Sequence, residues 1–142
     1  MSRGLYDGEI KALAASQIAP QSLPGPDLQI SVDNPFCGDR IDLQLNIEAG
    51  RVTALAQDIR ACMLCQASAN VVAKSAIGLS RDDIEAVSIE LTAMLKGNDS
   101  DCWPPVDWES LALFEPVSRH KSRHGCVTLP FTALLKALPD TP

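Results

Sequence analysis

Alternation of apolar and polar residues between positions 41 and 48 is the strongest pattern in this 142-residue chain. Odd positions are apolar and even positions are polar, which is typical of a half-buried β-strand. A turn follows at 49–51, and residues 52–59 form the returning strand of an antiparallel hairpin. The apolar face consists of Ile41, Leu43, Leu45 and Ile47.

A second, shorter alternation precedes the hairpin. Leu28 to Val32 alternates in the same way and predicts another strand. Upstream of it, residues 1–26 are predicted to form a helix from Tyr6 to Ile18, followed by a connector with three prolines.

Helical patterns dominate the chain after the hairpin. Small helix-forming residues predict a helix from about residue 66 to residue 77. A capping box at Ser80–Asp83 then opens another helix, whose apolar stripe runs over 84–95.

The C-terminal third is predicted to contain one irregular segment and one helix. Residues 98–118 carry no regular pattern apart from a helical turn over 107–113. Apolar residues then recur at helical spacing over 131–138, so the last helix is expected to follow Cys126 and to end at Pro139.

Composition narrows the class of protein. At 142 residues, with 46% hydrophobic residues, the chain is expected to be a single domain, 1–142. A net charge of −6 argues against nucleic-acid binding, which requires a basic surface. The uncharged run 61–73 is too short to span a bilayer, and Asp7 and Glu9 interrupt any N-terminal leader. A cytoplasmic protein is therefore expected, in which five cysteines act as thiols or ligands.

Hairpin geometry places candidate metal ligands at one end of the sheet. Facing residues of an antiparallel pair have position numbers that add to a constant, which is about 100 for a turn near position 50. Asp39 is then opposite residue 61 or 62, so Cys37 and Asp39 share this end with Cys62. Thiolates are soft ligands and carboxylates hard ones, and Gly38 lets the backbone turn so that both can face one ion. Cys126 could supply a further thiolate.

Cys126 is the best candidate for a reactive thiolate. It is predicted to lie just before the last helix, where unpaired backbone N–H groups favour an anion. Arg119, Lys121 and Arg123 add positive charge to the same segment. The alternative, that Cys126 is only a small buried apolar residue, stays open.

The remaining cysteines and the histidines give weaker signals. Cys62 and Cys65 form a C-x-x-C motif, but it follows an antiparallel hairpin rather than the parallel strand of a thioredoxin-like site. Cys65 is either an auxiliary thiol or a helix residue, and Cys102 is expected to have no function of its own. His120 and His124 have the spacing of two ligands on one helix face, yet they lie among cations. A solvated basic surface is favoured, with His124 as an alternative ligand.

Three segments of this sequence together resemble the U-type iron–sulfur assembly proteins, that is, the IscU, SufU and NifU N-terminal group. They are Asn34–Ile41, Cys62–Ala69 and Arg123–Cys126, and the resemblance extends over about 28–138. It implies an α+β fold, with a three-stranded antiparallel sheet and helices packed on one face. It also implies that the metal or cluster ligands are Cys37, Asp39, Cys62 and Cys126.

Within that group the chain looks most similar to the SufU branch. Residues 98–118 occupy the place of an insert found in that branch, and Arg123 matches its arginine three positions before the last cysteine. Two features depart from the group: the N-P-R-N segment after the first helix is replaced by residues 20–24, and Gly125 stands where a histidine or basic residue is usual. These departures concern partner contacts and the use of a histidine beside the site.

The resemblance implies one main function and leaves two alternatives. The main hypothesis is a scaffold, rather than a turnover enzyme, that accepts sulfur from a cysteine desulfurase and holds a [2Fe–2S] cluster or iron for recipient apoproteins. The first alternative is a zinc-dependent sulfur relay, a sulfurtransferase that stimulates the desulfurase; the second is a purely structural metal. Cys37 and Cys126 are the candidate sulfur acceptors, with Arg123 beside them, and Arg119–His124 is the expected partner surface.

Overall fold

The α+β architecture is confirmed by a computed structural model, which describes residues 8–34 and 38–138. Three antiparallel strands form one sheet in the order β1-β2-β3. The elements are β1 (Leu28–Asn34), β2 (Asp39–Glu48), β3 (Arg51–Arg60), α1 (Gly8–Ala15), α2 (Met63–Ser75), α3 (Arg81–Leu95), α4 (His124–Ala137), and two 3-10 helices, Glu109–Arg119 and Lys121–Arg123.

The hairpin of β2 and β3 has the predicted register. Arg40 pairs with Arg60 and Ile41 with Ile59, so facing positions add to 100 as far as Asn46, after which the register shifts by one. A two-residue turn at 49–50 joins the strands. Because the register holds at the far end of the hairpin, the start of β2 lies beside the residues that follow β3.

One face of the sheet packs against the helices. The predicted alternation along β2 is confirmed, because Ile41, Leu43 and Leu45 are buried while the residues between them are more accessible. Helix α4 contacts β1 and β2, α2 packs against α4 and β3, and α1 lies on α2. Among residues 8–34 and 38–138, every helix is too short or too polar to cross a lipid bilayer.

The helices differ from the predicted ones mainly at their ends. Helix α1 ends at Ala15, not at Ile18, because the Ser16 hydroxyl donates to the Leu13 carbonyl at 2.6 Å and the chain leaves the helix there. The predicted start at Tyr6 and the predicted stop at Pro139 both lie outside the described residues. The capping box at Ser80 is confirmed at the start of α3.

The C-terminal third is more helical than its sequence indicates. Helix α4 begins at His124, so Cys126 lies inside its first turn rather than before it. Between α3 and α4, the 3-10 helix is longer than the predicted turn over 107–113. Gly125 and Pro130 both disfavour helix in an isolated chain, but packing of this segment into the core outweighs local propensity. Trp108, at the start of the irregular segment's helix, packs on Phe131 of α4 with ring centroids 5.6 Å apart.

Candidate metal centre

Three potential ligands from three different elements meet at one end of the sheet. Asp39 is the first residue of β2, Cys62 is the N-cap residue of α2, and Cys126 is the third residue of α4. One carboxylate oxygen and the two sulfur atoms all lie within 4.8 Å of one another. The structure therefore contains a group of ligands that could hold a metal ion.

Asp39 and Cys62 are joined by direct hydrogen bonds. The backbone N–H of Cys62 donates to Asp39 Oδ1 at 3.0 Å, and the Cys62 thiol donates to Asp39 Oδ2 at 3.5 Å. One carboxylate oxygen therefore fixes the start of α2, while the other faces the sulfur atom. A protein carboxylate held by a second interaction of this kind keeps its orientation when it binds a metal.

Burial of the three side chains is uneven. Asp39 is 3% exposed and Cys126 is fully buried, whereas Cys62 is half-buried. Access to the centre from solvent is therefore through the Cys62 side. The fourth predicted ligand, Cys37, lies outside the described residues, so its membership of the group stays a prediction from the sequence.

Asn34 and Gly38, the described residues on either side of positions 35–37, are hydrogen-bonded to each other. Gly38 has a φ of +74°, a conformation that favours glycine, and its N–H donates to the Asn34 carbonyl at 2.9 Å. Asn34 and Asp39 also pair across β1 and β2. The end of β1 therefore lies beside the metal centre, whereas the predicted role of Gly38 in turning Cys37 toward the same ion stays a prediction.

Two residues support the centre without being expected from the sequence. Asn34 is buried, and a Cβ atom added to Gly125 would lie only 2.8 Å from its Nδ2 atom, so α4 can approach β1 this closely because position 125 has no side chain. Ser68, buried in α2, donates from its hydroxyl to the Val127 carbonyl at 2.6 Å and ties α2 to α4 next to Cys126. Both residues stood in motifs noted above, but only the packing of α4 shows what they do.

The basic segment before α4 leads into the metal centre, but none of its residues belongs to the group of three ligands. Arg119, His120 and Lys121 are exposed, as predicted for a solvated surface. His124 is half-buried instead, and its Nε2 atom lies 3.2 Å from the Ser118 carbonyl oxygen. Neither histidine belongs to the group of three ligands. Arg123 is half-buried at the N-cap position of α4.

The other two cysteines lie in contrasting environments. Cys65 is fully buried in the core, three residues after Cys62 in the first turn of α2. Cys102 is exposed, in the segment between α3 and the longer 3-10 helix. Neither residue belongs to the ligand group, and Cys102 offers a natural control for experiments on the others.

The donor set fits a thiophilic metal ion. Around Zn²⁺, which binds sulfur at about 2.3 Å in a tetrahedron, ligand atoms lie roughly 3.8 Å apart. Ligand atoms already within 4.8 Å of one another need only small side-chain movements to reach that separation. Asp39, Cys62 and Cys126 are thus suited in chemistry and position to hold a metal.

Comparison with known proteins gives a consistent picture. The sequence model of the NifU-like N terminal domain matches residues 12–113, a range that includes Asp39 and Cys62 but ends before Cys126. The zinc-dependent sulfurtransferase SufU of Bacillus subtilis is 26% identical over 109 residues, which cover 77% of this chain and 73% of that protein. The iron–sulfur cluster assembly scaffold protein IscU of Thermotoga maritima is 28% identical over 105 residues, covering 74% and 72%.

Solved structures extend the similarity over nearly the whole chain. The N-terminal part of a NifU-like protein from Brucella abortus has a TM-score of 0.86 and 31% identity, covering 94% of this chain and 91% of that one. A SufU scaffold from Fervidobacterium islandicum also has a TM-score of 0.86, but at 20% identity it shows only the common fold. With a family match over most of its length and a relative of this similarity, the chain belongs to the NifU-like N-terminal domain family.

Proposed function

We propose that this protein is an iron–sulfur cluster assembly scaffold that accepts sulfur from a cysteine desulfurase and holds a cluster or metal for transfer to apoproteins. The observation that carries this proposal is the convergence of Asp39, Cys62 and Cys126 within 4.8 Å. The relatives named as IscU scaffolds and as SufU support the same function. Cys37, two positions before Asp39, is proposed as the fourth ligand on the sequence alone.

A mixed ligand set suits a temporary holder. Stable iron–sulfur clusters are usually bound by four thiolates. A carboxylate oxygen is a harder and more exchangeable ligand for iron, so Asp39 would allow a cluster to leave. Cys62 is the more exposed of the two described thiols in the group, and it gives the centre an open side for transfer.

Sulfur delivery needs a thiolate that can attack. In the proposed step, a thiolate of this protein takes the outer sulfur from a persulfide on the desulfurase, whose own thiolate is the leaving group. Cys37 and Cys126 remain the two candidate acceptors. Arg123, at the N-cap of α4 and three residues before Cys126, is proposed to stabilise the negative charge of the acceptor.

A zinc-dependent sulfur relay is the second candidate. It is favoured by the similarity to the relative named a zinc-dependent sulfurtransferase and by the donor set of two thiols and one carboxylate, which suits tetrahedral Zn²⁺. In this version Zn²⁺ holds the ligands at rest, and exchange of one of them frees a thiolate to accept sulfur. The protein would then speed the desulfurase without keeping a cluster.

Anaerobic reconstitution distinguishes the two candidates. The purified protein is incubated with ferrous iron, L-cysteine, a cysteine desulfurase and dithiothreitol, which reduces the delivered persulfide sulfur to sulfide, and bound iron, sulfide and zinc are measured beside the visible spectrum. We expect a brown protein with equal amounts of iron and sulfide, no cluster on C62S, and an unchanged yield on C102S. Colourless protein that retains one zinc and accelerates the desulfurase would support the relay, and protein that binds neither metal would contradict both.

Replacing the carboxylate separates a holder from a structural metal site. In D39A, a transient cluster should survive longer against a chelator because the exchangeable ligand is gone. A structural site should instead lose its metal. Folding stability does not separate the two cases, because D39A also removes the acceptor of the Cys62 N–H. D58A is a matched control, since Asp58 is a carboxylate on β3 outside the ligand group.

The basic segment is proposed as the surface that binds the desulfurase. Arg119 and Lys121 are exposed beside α4, in a chain whose net charge is −6. Reversing both charges, in R119E/K121E, should weaken desulfurase binding and increase its salt dependence. K11E, which reverses an exposed charge on α1, is the control. Equal affinity of both variants and the wild type would rule this surface out.

A further inference from the structure

Helix α2 begins with two cysteines in a geometry that the proposed function does not use. Cys62 is the N-cap residue and Cys65 is the third helical residue, and both are thiols in this structure. We infer that Cys62 and Cys65 form a reversible disulfide, which withdraws Cys62 from the metal centre.

The relative positions of the two residues favour bond formation. Side chains three residues apart on a helix have Cβ atoms about 5–6 Å apart, and a disulfide requires about 3.5–4.5 Å. An N-cap residue has extended backbone, here with φ −64° and ψ 166°, from which a side chain can turn back toward the first turn. The Cys62 sulfur now faces Asp39 Oδ2, so it must rotate about its Cα–Cβ bond to reach Cys65. In α3 the side chain at the same position as Cys65 likewise lies against the N-cap residue, since Asp83 Oδ2 accepts from the Ser80 N–H at 3.1 Å.

The two thiols differ in burial, and this difference sets the order in which they react. Cys62 is half-buried and can meet a reagent from solvent, whereas Cys65 is fully buried and is shielded from such a reagent. The exposed thiol therefore reacts first, and the buried thiol completes the bond. An accessible thiol next to a second, resolving cysteine is the usual arrangement of redox-sensing sites.

The oxidant is a low-molecular-weight disulfide such as glutathione disulfide. The Cys62 thiolate attacks one sulfur of the oxidant, forming a mixed disulfide and releasing the first small thiolate. Cys65 then loses its proton to that thiolate and attacks the Cys62 sulfur, which expels the second small thiolate. Overall two protein thiols are oxidised to one disulfide, and one small disulfide is reduced to two thiols.

Cys126 is the competing partner, because its sulfur lies within 4.8 Å of that of Cys62. A bond between them would have to draw the first turns of α2 and α4 together. That approach is opposed by the Ser68 hydroxyl of α2, which already contacts the Val127 carbonyl of α4 at 2.6 Å next to Cys126. The bond to Cys65 needs only a local change within one turn of α2.

Peptide mapping tests the assignment on the intact wild-type protein. Metal-free protein is equilibrated with glutathione redox buffers, alkylated and cleaved with trypsin, which cuts after Arg60 and Lys74 and leaves both cysteines in peptide 61–74. We expect this peptide to carry two alkyl groups in reducing buffer and none in oxidising buffer, where its mass should be two hydrogen atoms below that of the unmodified dithiol; dithiothreitol before alkylation should restore the doubly alkylated form. C65A should abolish the light peptide, and C102S should not.

Two results would overturn the inference. One is peptide 61–74 cross-linked to 124–136, which would identify Cys126 as the partner. The other is glutathione retained on Cys62 while Cys65 stays reduced. Since C65A alters the core, the wild-type mapping alone is decisive if that variant does not fold.

The consequence for metal binding rests on the proposed function, whereas the disulfide itself does not. Oxidised wild-type protein should bind Zn²⁺ about 100-fold more weakly than reduced protein, because loss of even an outer partner of a ligand weakens binding by up to that factor. Unaltered Zn²⁺ affinity after oxidation would overturn this consequence. Reduced protein that binds no Zn²⁺ or iron would instead contradict the proposed function and leave the disulfide result standing.

Discussion

Helices α2 and α3 follow one another along the chain, yet their first turns are stabilised in different ways. Ser80 and Asp83 form a complete capping box at the start of α3. At the start of α2, Cys62 makes no side-chain capping hydrogen bond, and its backbone N–H is bound by Asp39 from the neighbouring strand. The start of α3 therefore depends on residues within one turn of the helix, whereas the start of α2 depends on the neighbouring sheet.

This difference shows how one fold keeps a reactive side chain available. A serine or aspartate at the N-cap would satisfy the helix end but would remove a sulfur from the centre. Asp39 takes over part of the capping task from outside the helix, so the Cys62 sulfur is left to the metal centre. We therefore expect substitutions at the two helix starts to have opposite effects on function and on stability.

The largest expected effect is on metal binding at the start of α2. C62A should weaken Zn²⁺ binding by about 100-fold or more, measured by competition with a chromophoric chelator. The free energy of unfolding of the metal-free protein should change by only about 0.5 kcal/mol, since no side-chain cap is lost and the one side-chain hydrogen bond removed, to Asp39 Oδ2, is long at 3.5 Å. S80A is the matched control and should leave Zn²⁺ affinity unchanged. Equal affinity for C62A and wild type would contradict the centre.

The next effect concerns the first turn of α4. G125A would place a Cβ atom 2.8 Å from Asn34 Nδ2, so the chain or the asparagine must shift. Because Asn34 is buried and cannot swing away freely, overpacking should cost about 1–3 kcal/mol in the free energy of unfolding. Alanine offsets this by up to about 1 kcal/mol because it is favoured over glycine in a helix. We expect a net loss, measured by urea denaturation.

A double-mutant cycle tests the cause. In N34A/G125A the clash is removed, and the two substitutions should show a coupling energy of at least about 0.5 kcal/mol. Additive losses would mean that the contact with Asn34 is not the cause of the destabilisation by G125A.

G8A is the control for this substitution, because Gly8 has open space around it and no positive φ. G97A is unsuitable, since Gly97 has a positive φ that alanine would strain.

Loss of the capping box of α3 should have a smaller effect, and it should change folding stability rather than metal binding. S80A removes the hydroxyl that accepts from the Asp83 N–H at 3.3 Å, and it should destabilise the protein by about 1 kcal/mol. Thermal unfolding of S80A and C62A, both metal-free, gives the direct comparison of the two helix starts. A larger loss of thermal stability in C62A than in S80A would contradict the view that the Cys62 side chain contributes less to its helix start than the Ser80 side chain does.

The smallest effect is a change in one titration. Hydrogen bonds from the Ser80 backbone and side chain lower the pKa of the Asp83 carboxyl below 3.8, and the nearby Arg51 lowers it further. The stabilisation is therefore present above pH 3.8 and is lost as the pH falls through the lower, folded-state value. S80A should raise the pKa of Asp83 toward 3.8, as measured by carboxyl NMR titration. An unchanged titration would mean that the Ser80 hydroxyl does not contribute and that the backbone N–H of residue 80 alone holds this carboxylate.

Local signals in the sequence were sufficient to predict the sheet and the approach of Asp39 to Cys62 in the metal centre. The alternation at 41–48 and the turn at 49–50 fix which residues face each other, and the register then places Asp39 beside Cys62. The capping box at Ser80 was equally readable. These features depend on neighbours in the chain or on a short hairpin, where a single periodicity determines the pairing.

Longer-range packing decided the rest. The sequence supplied Cys126 as a candidate, but its position depends on α4 lying across β1 and β2, and on the absence of a side chain at Gly125 opposite Asn34. The start of α4 at His124 likewise contradicts local propensity, because burial of an apolar face contributes more free energy than one glycine and one proline cost. Contacts between residues far apart in the chain leave no periodic mark in it, and only the folded structure shows them.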